Sequence, residues 1–324
     1  MTRLLRLIAF VTGVIFLSPA FAQSFSTNFP VKTVRLIVPN SPGGGTDILA
    51  RLFAQSLQDV WKQSVIVEYK AGAGMVLGTD YVAKSLPDGY TIAMVATPHV
   101  INPSLVPNMP FDTVRDLSGV TLNSISHVVI LAAPSLEAKT LADVIALAKK
   151  SPGQLSYASP GTGSSMHLTG ELLKTRTGVD ILHIPYKGAG PAYIDVMSGR
   201  VQLMVNPLYS SLSYMRSGKL RAIAVASPER ARTAPDVPTV AETIPGFDVR
   251  SVNGMVVPSA TPRAIVNRIN ADVVALVKQP QFRGKLEELG LEPVGSTPEQ
   301  FDAYIKTEIE KWAPVVKASG AKPD

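Results

Sequence analysis

Two segments of this chain gather backbone donors and hydroxyls in a pattern suited to holding a small anion. The first reads Asn40-Ser41-Pro42-Gly43-Gly44-Gly45-Thr46-Asp47, and the second Ser159-Pro160-Gly161-Thr162-Gly163-Ser164-Ser165-Met166-His167. Each follows an apolar strand-like run and opens an amphipathic helical run. A helix start leaves N–H groups unpaired and carries partial positive charge, so it seats anions. Gly43, Gly44 and Gly45 offer bare backbone N–H groups, and Thr46 has the type of a helix cap. Asp47 suits a first helical turn whether or not it meets a ligand. Ser164 and Ser165 supply hydroxyls and equally suit a helix start. His167 is expected in a supporting role, because no second His or acid lies at metal-ligand spacing. Tyr186 offers a phenol donor in a loop beside Lys187. The set calls for binding, with neither a metal nor a cofactor.

Other chemistries fit less well. A hydrolase needs a nucleophile, a base and an orienting group. Ser164, His167 and Asp47 have the right types, but no G-x-S-x-G turn is present and Ser164 and His167 share one helix start. Gly161-Thr162-Gly163 is not a dinucleotide fingerprint, and no Lys-Ser/Thr pair follows the glycines as a P-loop requires. The chain has no cysteine, which removes disulfides, thiolate nucleophiles and iron–sulfur sites.

Strands and helices alternate through the elements that must position these segments. Strands are expected at 34–38, 65–69, 91–95, 128–132, 155–159, 181–184, 201–205 and 220–226. Helices are expected at 47–60, 141–149, 164–175 and 190–198, with three Pro-opened helices at 262–278, 280–289 and 298–319. This rhythm predicts α/β lobes built on mainly parallel sheets flanked by helices. Linking segments near 123–129 and 224–230 would make two hinge crossings. One lobe then comprises 23–125 and 227–324, and the other 126–226. Arg3, Arg6, the apolar run 7–17 and Ala20-Phe21-Ala22 have the layout of a cleavable secretory leader, residues 1–22, with cleavage after Ala22. That leader holds two of the 31 Lys and Arg and no acid, so 29 bases face 25 acids and leave a net charge of +4. No basic run interleaves with aromatics, which argues against nucleic acid.

Magnitudes favour two jaws over one. A hydrogen bond to a charged group contributes about 1.5–3 kcal/mol, whereas micromolar binding needs about 8 kcal/mol after association costs. Two or three donors on one loop fall short, so a second lobe closing over the anion is expected.

The blocks 34–51, 67–91, 155–172, 183–201, 218–247, 260–270 and 297–322, in this order behind a leader, resemble the Bug family of receptors for tripartite tricarboxylate transport. The resemblance implies a two-lobed periplasmic-binding-protein fold of the Venus-flytrap kind. It also implies a monomeric, non-catalytic periplasmic receptor that passes a small organic carboxylate to integral membrane subunits. One jaw would be Asn40, Ser41, Gly43, Gly44, Gly45 and Asp47. The other would include Ser159, Gly161, Ser164, Ser165, His167 and Tyr186. An output through a membrane sensor kinase stays open beside transport. Tyr69 stands where the family usually has Asn, Ala71 where it often has Pro, Gln202 for a common Asp and Val252 for a usual Trp.

Overall fold

The structure is a computed structural model that describes residues 29–42, 45–186 and 188–323. The expected leader, Gly43, Gly44 and Lys187 lie outside the described residues. In chain order the elements begin β1 (Val34–Val38), α1 (Gly45–Trp61), β2 (Val65–Tyr69), α2 (Val76–Ala83), β3 (Thr91–Ala96) and α3 (Pro98–Leu105). There follow β4 (Leu117–Ala132), α4 (Leu141–Lys150), β5 (Ser156–Ser159), α5 (Ser165–Thr177), β6 (Leu182–Pro185), α6 (Ala189–Met197), β7 (Leu203–Pro207), α7 (Leu208–Arg216) and β8 (Arg221–Val225). The chain ends with β9 (Arg250–Pro258), α8 (Arg263–Lys278), α9 (Pro280–Glu288), β10 (Glu292–Pro293) and α10 (Pro298–Ser319). Among the described residues no helix is long and apolar enough to cross a membrane.

The strand order is β2-β1-β3-β9-β4-β7-β5-β6, with β8 and β10 also pairing β4. β4 is the strand that both halves share. Its first part, Leu117 to His127, runs antiparallel to β9, and its last part, Val128 to Ala132, runs antiparallel to β7 and β8. The α/β two-lobed class therefore stands, but the sheets are mixed rather than mainly parallel. The outer pairs β1–β2, β1–β3, β5–β6 and β5–β7 are parallel, as βαβ units require. The inner pairs are antiparallel because β4 and β9 pass between the halves instead of being wound by a crossover helix.

The segment 123–129, expected as a linker, is the middle of a continuous strand. Its polar side chains Asn123, Ser124, Ser126 and His127 are buried between the halves. His127 is pinned there by the Ser227 hydroxyl at 2.5 Å and Glu292 at 2.8 Å. After β8 the chain stays on the second sheet. The Val225 N–H donates to the Pro238 carbonyl, Ala231 joins the core around Val129 and Leu131, and the Val249 N–H donates to the Ala226 carbonyl before β9 begins.

One core packs α1, α8 and α9 on the first sheet through Leu49, Phe53, Val273 and Phe282, with the rings of Phe53 and Phe282 4.8 Å apart. Each such burial stabilises by about 1.5–3 kcal/mol. A second core is continuous across both halves, from Val95 and Val256 through Phe301, Ile305 and Trp312 on α10 to Leu168 and Leu173 on α5. Gly254 makes this possible, because a Cβ there would stand 2.2 Å from the Phe301 ring. Thr140 caps α4 as its sequence predicts, accepting from the Asp143 N–H while Asp143 returns a bond to the Thr140 N–H.

Candidate functional site

The first segment leaves β1 at Pro39 and enters α1 at Gly45. Thr46, expected as the cap, lies inside the helix instead, and its hydroxyl accepts from the Asn40 amide at 3.3 Å. Ser41 is exposed. Asp47 is buried, and its carboxylate accepts from Arg51 Nε at 2.8 Å and from the Tyr69 hydroxyl at 2.7 Å. Desolvation, reinforced by the adjacent Asp47 carboxylate, pushes the Tyr69 phenol above its ordinary value. Tyr69, one of the departures from the family pattern, is thus the residue that ties the first turn of α1 to the edge strand β2.

Beside this helix start lies a cavity of about 180 Å³. Its polar wall is Thr46 from α1, Ser126 from β4, and Ser251 and Asn253 from β9. Ser126 and Ser251 are partners in the β4–β9 register, and Asn253 lies two residues beyond Ser251, so all three share one face. The apolar lining is Ile48, Ala96, Leu289 and Leu291, and Tyr209 of α7 lines the cavity close against Gly45. Among the described residues no Lys, Arg or His lines the cavity.

Two hydroxyls in this cavity have no hydrogen-bond partner among the described residues. Ser126 is only 2 % exposed and faces the cavity. The Tyr209 hydroxyl lies so close to α1 that a Cβ on Gly45 would stand 3.2 Å from it. Burial pushes the Tyr209 phenol up, with a further push from Tyr193, so it remains a donor at neutral pH. Gly290 sets the position of this ring. A Cβ there would stand 2.2 Å from Tyr209 Cβ, and its φ of +70° lies where side chains are strained. The Thr97 hydroxyl fixes the start of β9, accepting from the Val252 N–H at 3.1 Å and donating to Ser251 Oγ at 3.4 Å.

The second segment is occupied with itself. Ser164 caps α5, accepting from the His167 N–H at 3.2 Å and donating to the Gly161 carbonyl at 2.7 Å. The His167 imidazole accepts from the Gly163 N–H at 3.1 Å and stacks on His183 at 3.8 Å. His183 in turn meets the Ser159 hydroxyl at 2.7 Å. Burial lowers both imidazoles; His183, with His167 and Lys174 nearby, is taken to about 3. Ser165 is half-buried, and the Tyr186 hydroxyl donates to Asp195 at 2.7 Å. Ser164 and His167 are bonded as cap and capped residue, not as nucleophile and base.

Among the described residues, none of the second segment lines the cavity at the start of α1. Of the positions expected to bind, Gly45 lines it, with Asn40 one hydrogen bond away through Thr46. The loop at Gly163 approaches Leu105 and the carbonyl of Lys322. Ser126, Tyr209, Ser251 and Asn253 escaped the sequence reading. A signal for Tyr209 existed: Asn206-Pro207-Leu208-Tyr209 is a third strand-to-helix junction at a strand's C-terminal end, but without glycines. Among the described residues no group of three or more His, Cys, Asp or Glu is placed to hold a metal.

A family model described as the tripartite tricarboxylate transporter family receptor matches residues 49–321. Protein BugT of Bordetella pertussis is 36% identical over 326 residues, covering 99% of this chain and 99% of that protein. Among solved structures, an R. palustris protein, Rpa4515, with adipate is 34% identical with a TM-score of 0.78, covering 91% of this chain and 100% of that one. MatC from Rhodopseudomonas palustris with bound malate is 31% identical with a TM-score of 0.74, covering 89% and 100%.

Proposed function

The chain belongs to the tripartite tricarboxylate transporter receptor family, and on that premise we propose that it is a periplasmic receptor that binds a small organic carboxylate between two lobes and delivers it to membrane subunits of a tripartite transporter. The observation that carries this reading is the cavity at the start of α1, where unpartnered neutral donors from both halves converge. One carboxylate there meets the positive end of a 17-residue helix, the Ser126 hydroxyl and the Tyr209 hydroxyl. Three or four such bonds at about 1.5–3 kcal/mol each approach micromolar affinity only at the upper end of that range once association costs are subtracted, so water exclusion by lobe closure must supply the rest. The adipate and malate carried by the two similar structures support a carboxylate over other anions.

The lobes divide at β4 and at the entry to β9. The first lobe runs from β1 to about Ser126 and from Arg250 to the C-terminus, and the second from His127 to Val249. Ser126 and Ser251 sit at the two crossings, so a ligand held by them bears on the hinge itself. Gly45, Thr46, Ser126, Tyr209, Ser251 and Asn253 form the binding set, with Asn40 joined to it through Thr46. The network from Ser159 to His167, with Tyr186 and Asp195, stiffens the second lobe behind it. The receptor acts as a monomer and catalyses nothing.

The test is calorimetry and thermal shift on the chain from Gln23 to Asp324, unfolded and refolded to strip any copurified ligand. A panel of mono-, di- and tricarboxylates is titrated. One-to-one binding by at least one carboxylate, with a smaller radius of gyration on binding, is expected. Absence of any carboxylate response sinks the reading.

A further inference from the structure

Resting on that reading, we infer that His127 and Glu292 are positioning residues for ligand binding: the hydrogen bond between them holds the strap 289–292 across the lobe boundary, and the strap holds Tyr209 at the cavity. His127 opens the second lobe and is buried, and its Nε2 lies 2.8 Å from the carboxylate of Glu292 in the first lobe. An ionised carboxylate only accepts, so the imidazole N–H donates. The ring is fixed from its other side as well. Its Nδ1 lies 2.5 Å from the Ser227 hydroxyl, and that hydroxyl reaches the Glu229 carbonyl at 2.8 Å. Glu292 can reach this ring because it pairs with Ile125 on β4, and His127 lies two residues farther along the same face.

The strap is where the two lobes and the cavity meet. Within the first lobe backbone bonds set it, from the Leu291 N–H to the Leu286 carbonyl and from the Gly290 N–H to that of Glu287, each at 2.9 Å. Leu289 and Leu291 line the cavity, and Gly290 packs so closely on Tyr209 that a Cβ would stand 2.2 Å from Tyr209 Cβ. Tyr209 rides on α7 of the second lobe, whereas the helix start that it approaches belongs to the first. Its hydroxyl is therefore placed by whatever fixes the strap against the second lobe. Arg232 and Glu287 span the same seam at 3.2 Å, but their side chains are 60% and 40% exposed, and such a pair contributes little. The His127 side chain is 6% exposed, so its bond to Glu292 is shielded from water and sets the strap.

The experiment is a double-mutant cycle read by calorimetry on the ligand-free mature chain, with whichever of butanoate, benzoate, malate, adipate and citrate binds most tightly. Glu292→Ala is expected to raise the dissociation constant at least fivefold. Glu292→Gln, whose amide oxygen still accepts, is expected to restore it to within twofold of wild type. In a Tyr209→Phe background Glu292→Ala is expected to change affinity less than twofold, because the hydroxyl it positions is already gone. Arg232→Ala is expected to leave affinity within twofold. His127→Leu, which breaks the same bond from the other side, repeats the cycle should Glu292→Ala fail to fold. A rise below fivefold, no recovery in Glu292→Gln, or a loss above twofold in the Tyr209→Phe background overturns the inference while leaving the receptor reading intact, since a general loss of stability acts in both backgrounds alike. An equal loss from Arg232→Ala overturns it too, because any contact across the seam would then serve. If none of the five acids binds, the receptor reading falls and the inference with it.

Discussion

Replacing Tyr209 by Phe removes one oxygen and tests whether the second half contributes a donor to the site. In the free protein the Tyr209 hydroxyl has no hydrogen-bond partner among the described residues and lies against the start of α1. Its loss therefore breaks nothing in the fold, and the unfolding free energy should change by less than about 0.5 kcal/mol. With ligand bound, that hydroxyl donates to a carboxylate, a bond that contributes about 1.5–3 kcal/mol. The dissociation constant should then rise roughly 10- to 150-fold. The ring stays, so its packing against Gly290 is preserved. Calorimetry gives the affinity, and thermal unfolding of the ligand-free protein gives the stability. A companion variant, Gly290→Ala, reaches the same hydroxyl from behind, because its Cβ would stand 2.2 Å from Tyr209 Cβ and 3.1 Å from its Cα. It should weaken binding in the same direction and also destabilise by about 1–2 kcal/mol through the left-handed backbone. Tyr209→Phe binding within twofold of wild type would refute the reasoning. So would an affinity loss matched by an equal loss of stability.

Two other outcomes follow from named groups. His99 is fully buried with its Nε2 unpartnered, and burial lowers its pKa to about 4 against 6.5 when unfolded. The unfolded chain thus binds the extra proton, so stability is complete above pH 6.5 and falls by about 3 kcal/mol as the pH drops through 4. His167 and His183 act in the same sense, so the difference in unfolding free energy between wild type and His99→Gln isolates His99; parallel curves between pH 7 and 4 would count against it. Ser164→Ala should cost about 1 kcal/mol of stability through the lost cap of α5, measured by urea unfolding. A loss of ligand affinity without that loss of stability would return Ser164 to the binding set.

What the sequence determined is what local physics determines. Apolar runs bounded by turns place β1 and β2 at 34–38 and 65–69, and a Pro-opened amphipathic stretch places α10 at 298–319. The alternation of such elements gives the two-lobed α/β class, and ordered blocks give the family. The helix after β1 was legible to within two residues, expected from 47 and found from Gly45, because glycines before an amphipathic run have a local meaning. Residues 117–127 were not legible as strand, because Ser118, Thr121, Asn123, Ser124 and Ser126 look like linker until β9 pairs with them. That pairing joins positions more than a hundred residues apart, and β9 itself was absent from the sequence reading. It brings Ser126, Ser251 and Asn253 onto one face, and the close approach allowed by Gly290 brings Tyr209 across from the other half. The sequence thus marked the start of α1 as the candidate anion seat. Only the tertiary structure decided which hydroxyls line the cavity beside it, because burial and the meeting of distant strands arise from long-range packing that no local periodicity encodes.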